Sequence, residues 1–278
     1  MKKTLTTLAI LFGFCVTLPV FAVEYQSPRT LALGGSGRAA PLLNDAIYLN
    51  PSYASFTPVY AVSGGYEWFN GGHNYNASVQ DSLTELFQGG VGYTRREQNS
   101  ALNFGASKQV IRRLGIGIGA KIIFDNNTGK TTNNYSFSTS FIATEWMYSS
   151  LVVDNVLEYQ GDRDRNLYRT IFIPFKFRPT KSIELFVDPL YSPSYTAGPK
   201  AGVSLAVEFA LMADFYFRMG KFINGEVTYL NTRGDGFGIG AGWIGPKINI
   251  DYGMSRTLSA DSNNPLTTIQ SVAFTMFI

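Results

Sequence analysis

From residue 114 to 124, apolar side chains fall on every second position: Leu114, Ile116, Ile118, Ala120, Ile122 and Phe124. Between them stand Gly115, Gly117, Gly119 and Lys121. A period of two sends successive side chains to opposite faces of a β-strand, so this stretch has one lipophilic face and one small face. The pattern returns where Phe237, Ile239, Ala241 and Trp243 alternate with Gly238, Gly240 and Gly242. It returns again where Tyr135 to Phe141 carry Ser136, Ser138 and Ser140 between large residues. A strand half-buried in a soluble protein would put Lys, Glu and Thr on its outer face. Glycine and serine there suit a confined, wet lumen, and the lipophilic face then turns toward lipid.

Strands are expected near 58–70, 73–82, 88–97, 100–110, 114–125, 133–144, 146–155, 167–178, 181–190, 199–210, 213–224, 236–244, 246–256 and 267–278. They make an all-β chain, a transmembrane antiparallel β-barrel of about 14 strands. The count becomes 12 if 73–82 and 88–97 fold otherwise. Tight turns at Arg112-Arg113, Pro179-Thr180, Leu211-Met212 and Gly245 alternate with longer connections at 126–132, 156–166, 191–198, 225–235 and 257–267. Short turns belong on the periplasmic side of an outer-membrane barrel, which places both barrel ends there. Val272, Phe274, Met276 and Ile278 form the outward face of the last strand, with Phe277 penultimate. That ending resembles the terminal signal read by the barrel-assembly machinery.

Residues 1–22 read as a secretory leader: Lys2 and Lys3, an apolar core from Leu8 to Val16, and Val20-Phe21-Ala22 as the cleavage site. Its removal takes away Cys15, the one cysteine, so no disulfide is expected. The chain has 23 basic against 20 acidic residues, and losing Lys2 and Lys3 brings the two close to balance. Such a chain lacks the basic face that nucleic acid requires. Outer-membrane lipids are the expected surroundings.

Residues 23–57 precede the barrel of 58–278. Within them, 31–56 is too apolar for a linker and too broken by Gly34, Gly35, Gly37, Pro41 and Pro51 for a long helix. Asn44-Asp45 can cap a short helix, and Asn50-Pro51 forces a turn in which Asn50 can bond its own backbone. A compact segment without a core of its own, placed before a barrel, is expected to be a lumenal hatch. Leu42, Leu43, Ile47, Tyr48, Leu49 and Tyr53 would line an apolar path beside it.

This segment resembles the N-terminal signature of the FadL-like outer-membrane transport proteins, most of all their shorter PorV-like relatives. The matching residues are Leu33-Gly34-Gly35, Asn44-Asp45-Ala46 and Tyr48-Leu49-Asn50-Pro51. Ser52-Tyr53 departs from the family's Ala-Gly. Beyond the hatch, 151–155, 203–209 with Glu208, and the last three strands follow the PorV-like order. The resemblance implies passive uptake of a fatty-acid-like hydrophobic molecule past the hatch. Its alternative implication is a PorV-like scaffold or shuttle that binds exported proteins, a reading favoured by the short chain and loops.

Nothing in the chain points to an enzyme. His73, the single histidine, is expected in a Gly-rich turn at the surface rim, and Ser78 and Asp81 are too near it in sequence to make a triad. No metal motif, phosphate loop or other cofactor motif is present, and 162–165 reads as a charged loop crest. Lys121, Glu184, Asp188, Glu208, Asp214, Arg218, Lys247 and Asp251 are expected to face the lumen. They would form a salt-bridge network tying hatch to wall, or a polar track for a ligand headgroup.

Overall fold

The computed structural model describes residues 25–70, 72–96, 99–126, 128–159, 167–212, 214–227, 232–260 and 267–278. The leader of 1–22 and the charged crest at 162–165 lie outside these residues. Three short helical elements come first: α1 (Pro28–Ala32), α2 (Asp45–Leu49) and a 3-10 turn, η1 (Pro51–Phe56). The strands follow as β1 (Tyr60–Phe69), β2 (Gly72–Asp81), β3 (Gln88–Arg95), β4 (Asn99–Ile111), β5 (Leu114–Asp125), β6 (Thr131–Thr144) and β7 (Met147–Asp154). Next are β8 (Thr170–Phe172), β9 (Phe175–Thr180), β10 (Ile183–Tyr191), β11 (Ala201–Ala210), β12 (Phe215–Val227), β13 (Thr232–Ile244), β14 (Ile248–Ala260) and β15 (Thr268–Phe277).

Strands pair antiparallel in sequence order, with β8 and β9 each lying between β7 and β10, and β15 returns to β1 to close the sheet. β8 and β9 are two pieces of one stave, so the barrel has 14 staves. The break is proline chemistry. Ser150 N donates to the Pro174 carbonyl at 3.0 Å, and Ile173 N to the Pro189 carbonyl at 3.1 Å. Neither proline has an N–H for the return bond, so two ladder bonds are lost side by side. The expected pair at 73–82 and 88–97 forms as β2 and β3, which excludes the 12-strand count.

Outward positions carry the large apolar residues, among them Ile118, Phe137, Phe141, Leu205, Ile250, Val272, Phe274 and Met276, all exposed. In water such a surface would be costly; in lipid it is the required one. Toward one rim Tyr66 packs against Trp68, His73 and Tyr75, with ring centroids 5.7, 5.9 and 5.2 Å apart. Aromatic rings at this level match the membrane–water interface. Among the described residues no helix is long and apolar enough to cross a membrane.

Both barrel ends sit on the opposite rim, here called the terminus rim. Its links are short at 112–113, 145–146, 181–182, 211–214 and 245–247. Three loop expectations need correction. Pro179-Thr180 closes β9, and the turn comes after it. The connections expected at 225–235 and 257–267 shrink because β12, β13 and β14 each run to 13 residues. The rule also inverts at the start: β1 and β2 join by a tight turn on the far rim, whereas 82–87 is the longest link on the terminus rim.

Candidate functional site

The N-terminal segment lies inside the barrel. Its first helix is started by Ser27, whose hydroxyl caps α1 by accepting from Thr30 N at 3.1 Å, with Pro28 at the first helical position. Ser-Pro is a helix-start signal that the sequence carried outside the stretch singled out above. Gly34, Gly35 and Gly37 then take φ of 61°, 84° and 107°, turning the chain where a side chain would be strained. Leu31, Ala32 and Leu33 are fully buried.

Burial comes from the wall, through two tracks of glycine. A Cβ at Gly220, Gly238 or Gly253 would strike the backbone of Leu33, Leu31 or Pro28, and one at Gly240 would lie 2.6 Å from Ala32 Cβ. On the other side, a Cβ at Gly90 would lie 2.6 Å from Ile47 Cδ1, and one at Gly115 2.6 Å from Ser55 Oγ. Gly92 sits under the Tyr48 hydroxyl, and Gly117 under the backbone of Ser52. Pro51 approaches the Cβ positions of Gly105 and Gly119 to 3.5 and 3.4 Å. The small face of the strands is therefore a seat for the segment's main chain, not the wet surface that alternation alone suggested.

Polar side chains bind the segment down. Asn50, fully buried, donates from Nδ2 to the Arg38 carbonyl (2.7 Å), Ser140 Oγ (2.9 Å) and Ser150 Oγ (3.1 Å). Its Oδ1 accepts from Ser52 Oγ at 2.6 Å, and Ser52 N donates to Ser138 Oγ at 3.0 Å. The expectation that Asn50 bonds its own turn is thus replaced: its amide ties two parts of the segment to β6 and β7. Asn44 precedes α2 but makes no capping bond; its Nδ2 donates to Ser78 Oγ at 2.8 Å on the wall. Asp45 accepts from Ser27 Oγ at 2.7 Å, joining α2 to the start of α1. Asn76 Nδ2 donates to the Tyr48 hydroxyl at 2.8 Å.

Charge forms the third set of contacts. Arg29 Nε donates to Glu208 Oε2 at 3.1 Å. Arg218 donates to that same carboxylate and to Asp251, which also accepts from Asn249 Nδ2 at 2.6 Å. The row Arg29, Glu208, Arg218, Asp251 alternates in sign from the segment across β11 and β12 to β14. Arg38 makes a second set: its N–H donates to Asp188 at 3.0 Å, its Nη2 meets Glu226 at 3.4 Å, and its guanidinium lies 3.8 Å over the Phe172 ring. Burying such charges is costly unless each is paired, which explains the alternation.

Of the eight charges expected in the lumen, Asp188, Glu208, Arg218 and Asp251 are buried there. Glu184 pairs with Lys176 at 2.8 Å and Arg178 at 3.4 Å on the adjoining stave. Lys121 is half-buried beside a small cavity with Asn134 and Asp154. Asp214 and Lys247 are instead exposed in terminus-rim turns, one residue before β12 and β14 begin, where strand alternation does not yet fix a side chain's direction. Sequence reasoning missed Arg29 and Arg38, because only their partners on the wall follow a two-residue period, and Glu226, because β12 continues through a bulge past the expected strand end at 224.

Among the hatch positions, Ile47, Leu49, Asn44, Asp45, Asn50 and Pro51 are buried, and Leu42, Leu43, Tyr48 and Tyr53 half-buried. Leu42, Leu43, Asp45 and Tyr48 line a cavity of about 20 Å³ with Asp251 and Asn249, and Ile47 and Tyr48 line a second of about 20 Å³. Each holds one water-sized body. His73 is not in a turn: it faces outward from β2 among the rim aromatics, whereas Ser78 of that strand points inward to Asn44.

Architecture and site together define a transmembrane β-barrel filled by a docked N-terminal segment. The same fold is found in the CymD monoaromatic hydrocarbon channel, at a TM-score of 0.71 and 11% identity, covering 93% of this chain and 99% of that one. It is found in the Pseudomonas putida toluene transporter TodX (0.65, 10%, 94% and 99%) and in a Pseudomonas aeruginosa FadL homologue (0.64, 11%, 92% and 99%). No family model matches the sequence, and no curated protein matches it.

Proposed function

We propose that this protein is a passive outer-membrane channel for small hydrophobic molecules, with residues 25–57 as its movable hatch. The observation that carries the proposal is the seating of the segment. A plug built as part of the wall would share its core, but this one rests on glycine and is held by hydrogen bonds and ion pairs. Water can replace such contacts when the segment moves, and Arg29 Nη1, Arg218 Nη2 and Asp188 Oδ1 have no protein partner to lose. In this reading the terminus rim faces the periplasm, because it carries most of the short turns.

With the hatch docked, the two cavities beside Tyr48 among the described residues are water-sized, so passage there requires displacement. Moving the segment uncovers Leu42, Leu43, Ile47, Leu49 and Tyr53 along an otherwise polar wall. An apolar solute gains about 25 cal/mol per Å² buried against them. The structural neighbours named above, which include a monoaromatic hydrocarbon channel and a toluene transporter, support uptake over scaffolding. Binding of exported proteins has no comparable support.

The test is deletion of residues 23–55 in the full barrel. Single-channel conductance in planar bilayers should rise several-fold, and cells making the intact protein should take up toluene faster than cells without it. A deletion variant that folds and conducts no more than the intact protein would refute the hatch. Unchanged toluene entry would refute the channel.

A further inference from the structure

On the lipid-facing surface near the terminus rim, the wall has a groove of about 160 Å³ lined by Phe87, Ala106, Lys108, Ile116, Ile118 and Phe137. The dent has a simple origin. Ala106 presents only a methyl opposite Ile118, while Ile116, Ile118 and Phe137 rise around it. Phe87 comes from the 82–87 link, which overhangs this side of the barrel. The lining is almost wholly apolar; its polar residues are Lys108 and Ser107, whose hydroxyl is turned to the Gln88 carbonyl.

The surroundings have a membrane-facing composition. Leu83, Leu86 and Phe87 on the link are 59%, 69% and 61% exposed, and Val110 and Ile111 beside them are also exposed. In water these side chains would forgo the burial that apolar surface favours, so this link belongs against lipid. Beyond it the turn after β4 carries Arg112 and Arg113, both exposed. Apolar positions followed by cations at a barrel rim suit the step from acyl chains to headgroup phosphates. Lys108 donates to the Glu85 carbonyl, which pins the link over the groove. An ammonium has three donors, so two remain for another acceptor.

We propose that this groove binds one acyl chain of an anionic phospholipid of the periplasmic leaflet, with Lys108 holding its phosphate. The proposal rests on the outer-membrane placement argued above. A cavity of about 150 Å³ lined by aliphatic and aromatic side chains takes up a benzene-sized body, so this groove grips a short run of methylenes. Position selects the occupant: the groove opens to the bilayer, not the lumen. Net charge selects the headgroup, since the Lys108 cation meets the anion of phosphatidylglycerol uncompensated but competes with choline in phosphatidylcholine.

Native mass spectrometry of the detergent-extracted full protein tests this, with phosphatidylglycerol and phosphatidylcholine as probes. The wild type should retain one phosphatidylglycerol at least about five-fold over phosphatidylcholine. Ala106→Phe, which fills the groove, should lose that adduct, and Lys108→Gln should keep a lipid without preference. Equal retention of both lipids by the wild type, or a full adduct in Ala106→Phe, would overturn the proposal. Should Ala106→Phe fail to fold, as read by heat-shifted gel mobility, Phe87→Trp serves instead. Its fluorescence in nanodiscs should be quenched more by brominated phosphatidylglycerol than by brominated phosphatidylcholine, and equal quenching would refute the site.

Discussion

The backbone of Leu33 occupies the space in which Gly220 would otherwise carry a Cβ. One glycine on β12 thereby fixes how deep α1 sits in the barrel. Equivalent seats at Gly238 and Gly253 hold Leu31 and Pro28, so the depth is set by three adjacent strands together.

Gly220→Ala should therefore lift the segment while leaving the barrel closed, because the clash is with the segment's main chain and not with a flexible side chain. A suitable reporter is Ser204→Cys, whose parent oxygen lies 3.8 Å from the Cβ position of Gly35 and is buried beneath the segment. Labelling by a thiol reagent should speed up at least ten-fold in the double variant. Unchanged labelling with intact heat-shifted mobility would mean that the segment is not seated there.

Arg29 and Arg218 share Glu208 but should differ in what their loss does. Without Arg29 the carboxylate keeps Arg218, so Arg29→Gln should chiefly loosen the segment. Without Arg218 the carboxylate of Asp251 keeps only Asn249, and an under-compensated charge stays buried in the wall. Arg218→Gln should cost the barrel about 3–5 kcal/mol, and Arg29→Gln distinctly less. Urea unfolding followed by gel mobility measures both; equal losses would contradict the network's direction.

Asp45 gives docking a pH dependence. Burial pushes its carboxyl up to about 6, against the lowering effects of the Ser27 hydrogen bond and the Arg29 charge. In the undocked segment it returns to the ordinary carboxylate range, so the docked form binds the proton more tightly. This stabilisation is complete below about pH 4 and is lost as pH rises through 6. Hydrogen exchange across residues 25–57, corrected for the chemical rate, should show stronger protection at pH 5 than at pH 8. Asp45→Asn should flatten that difference, and a flat wild-type profile would remove Asp45 from the docking equilibrium.

By itself the sequence determined the barrel and its faces, because side-chain alternation in a strand is a local property. Ile116 and Ile118 look outward and Gly115 and Gly117 inward whatever else the chain does. It also marked the N-terminal segment as a separate body through its glycines and prolines. It did not determine why the inner face is small, what Asn50 binds, or which cations meet Glu208. Those facts depend on residues far apart in the chain, such as Asn50 with Ser140 and Arg29 with Glu208, and no periodic signal links them. Only closure of the barrel brings β6, β7, β11 and β12 around the segment, and only there does a glycine on a strand become a seat for a helix.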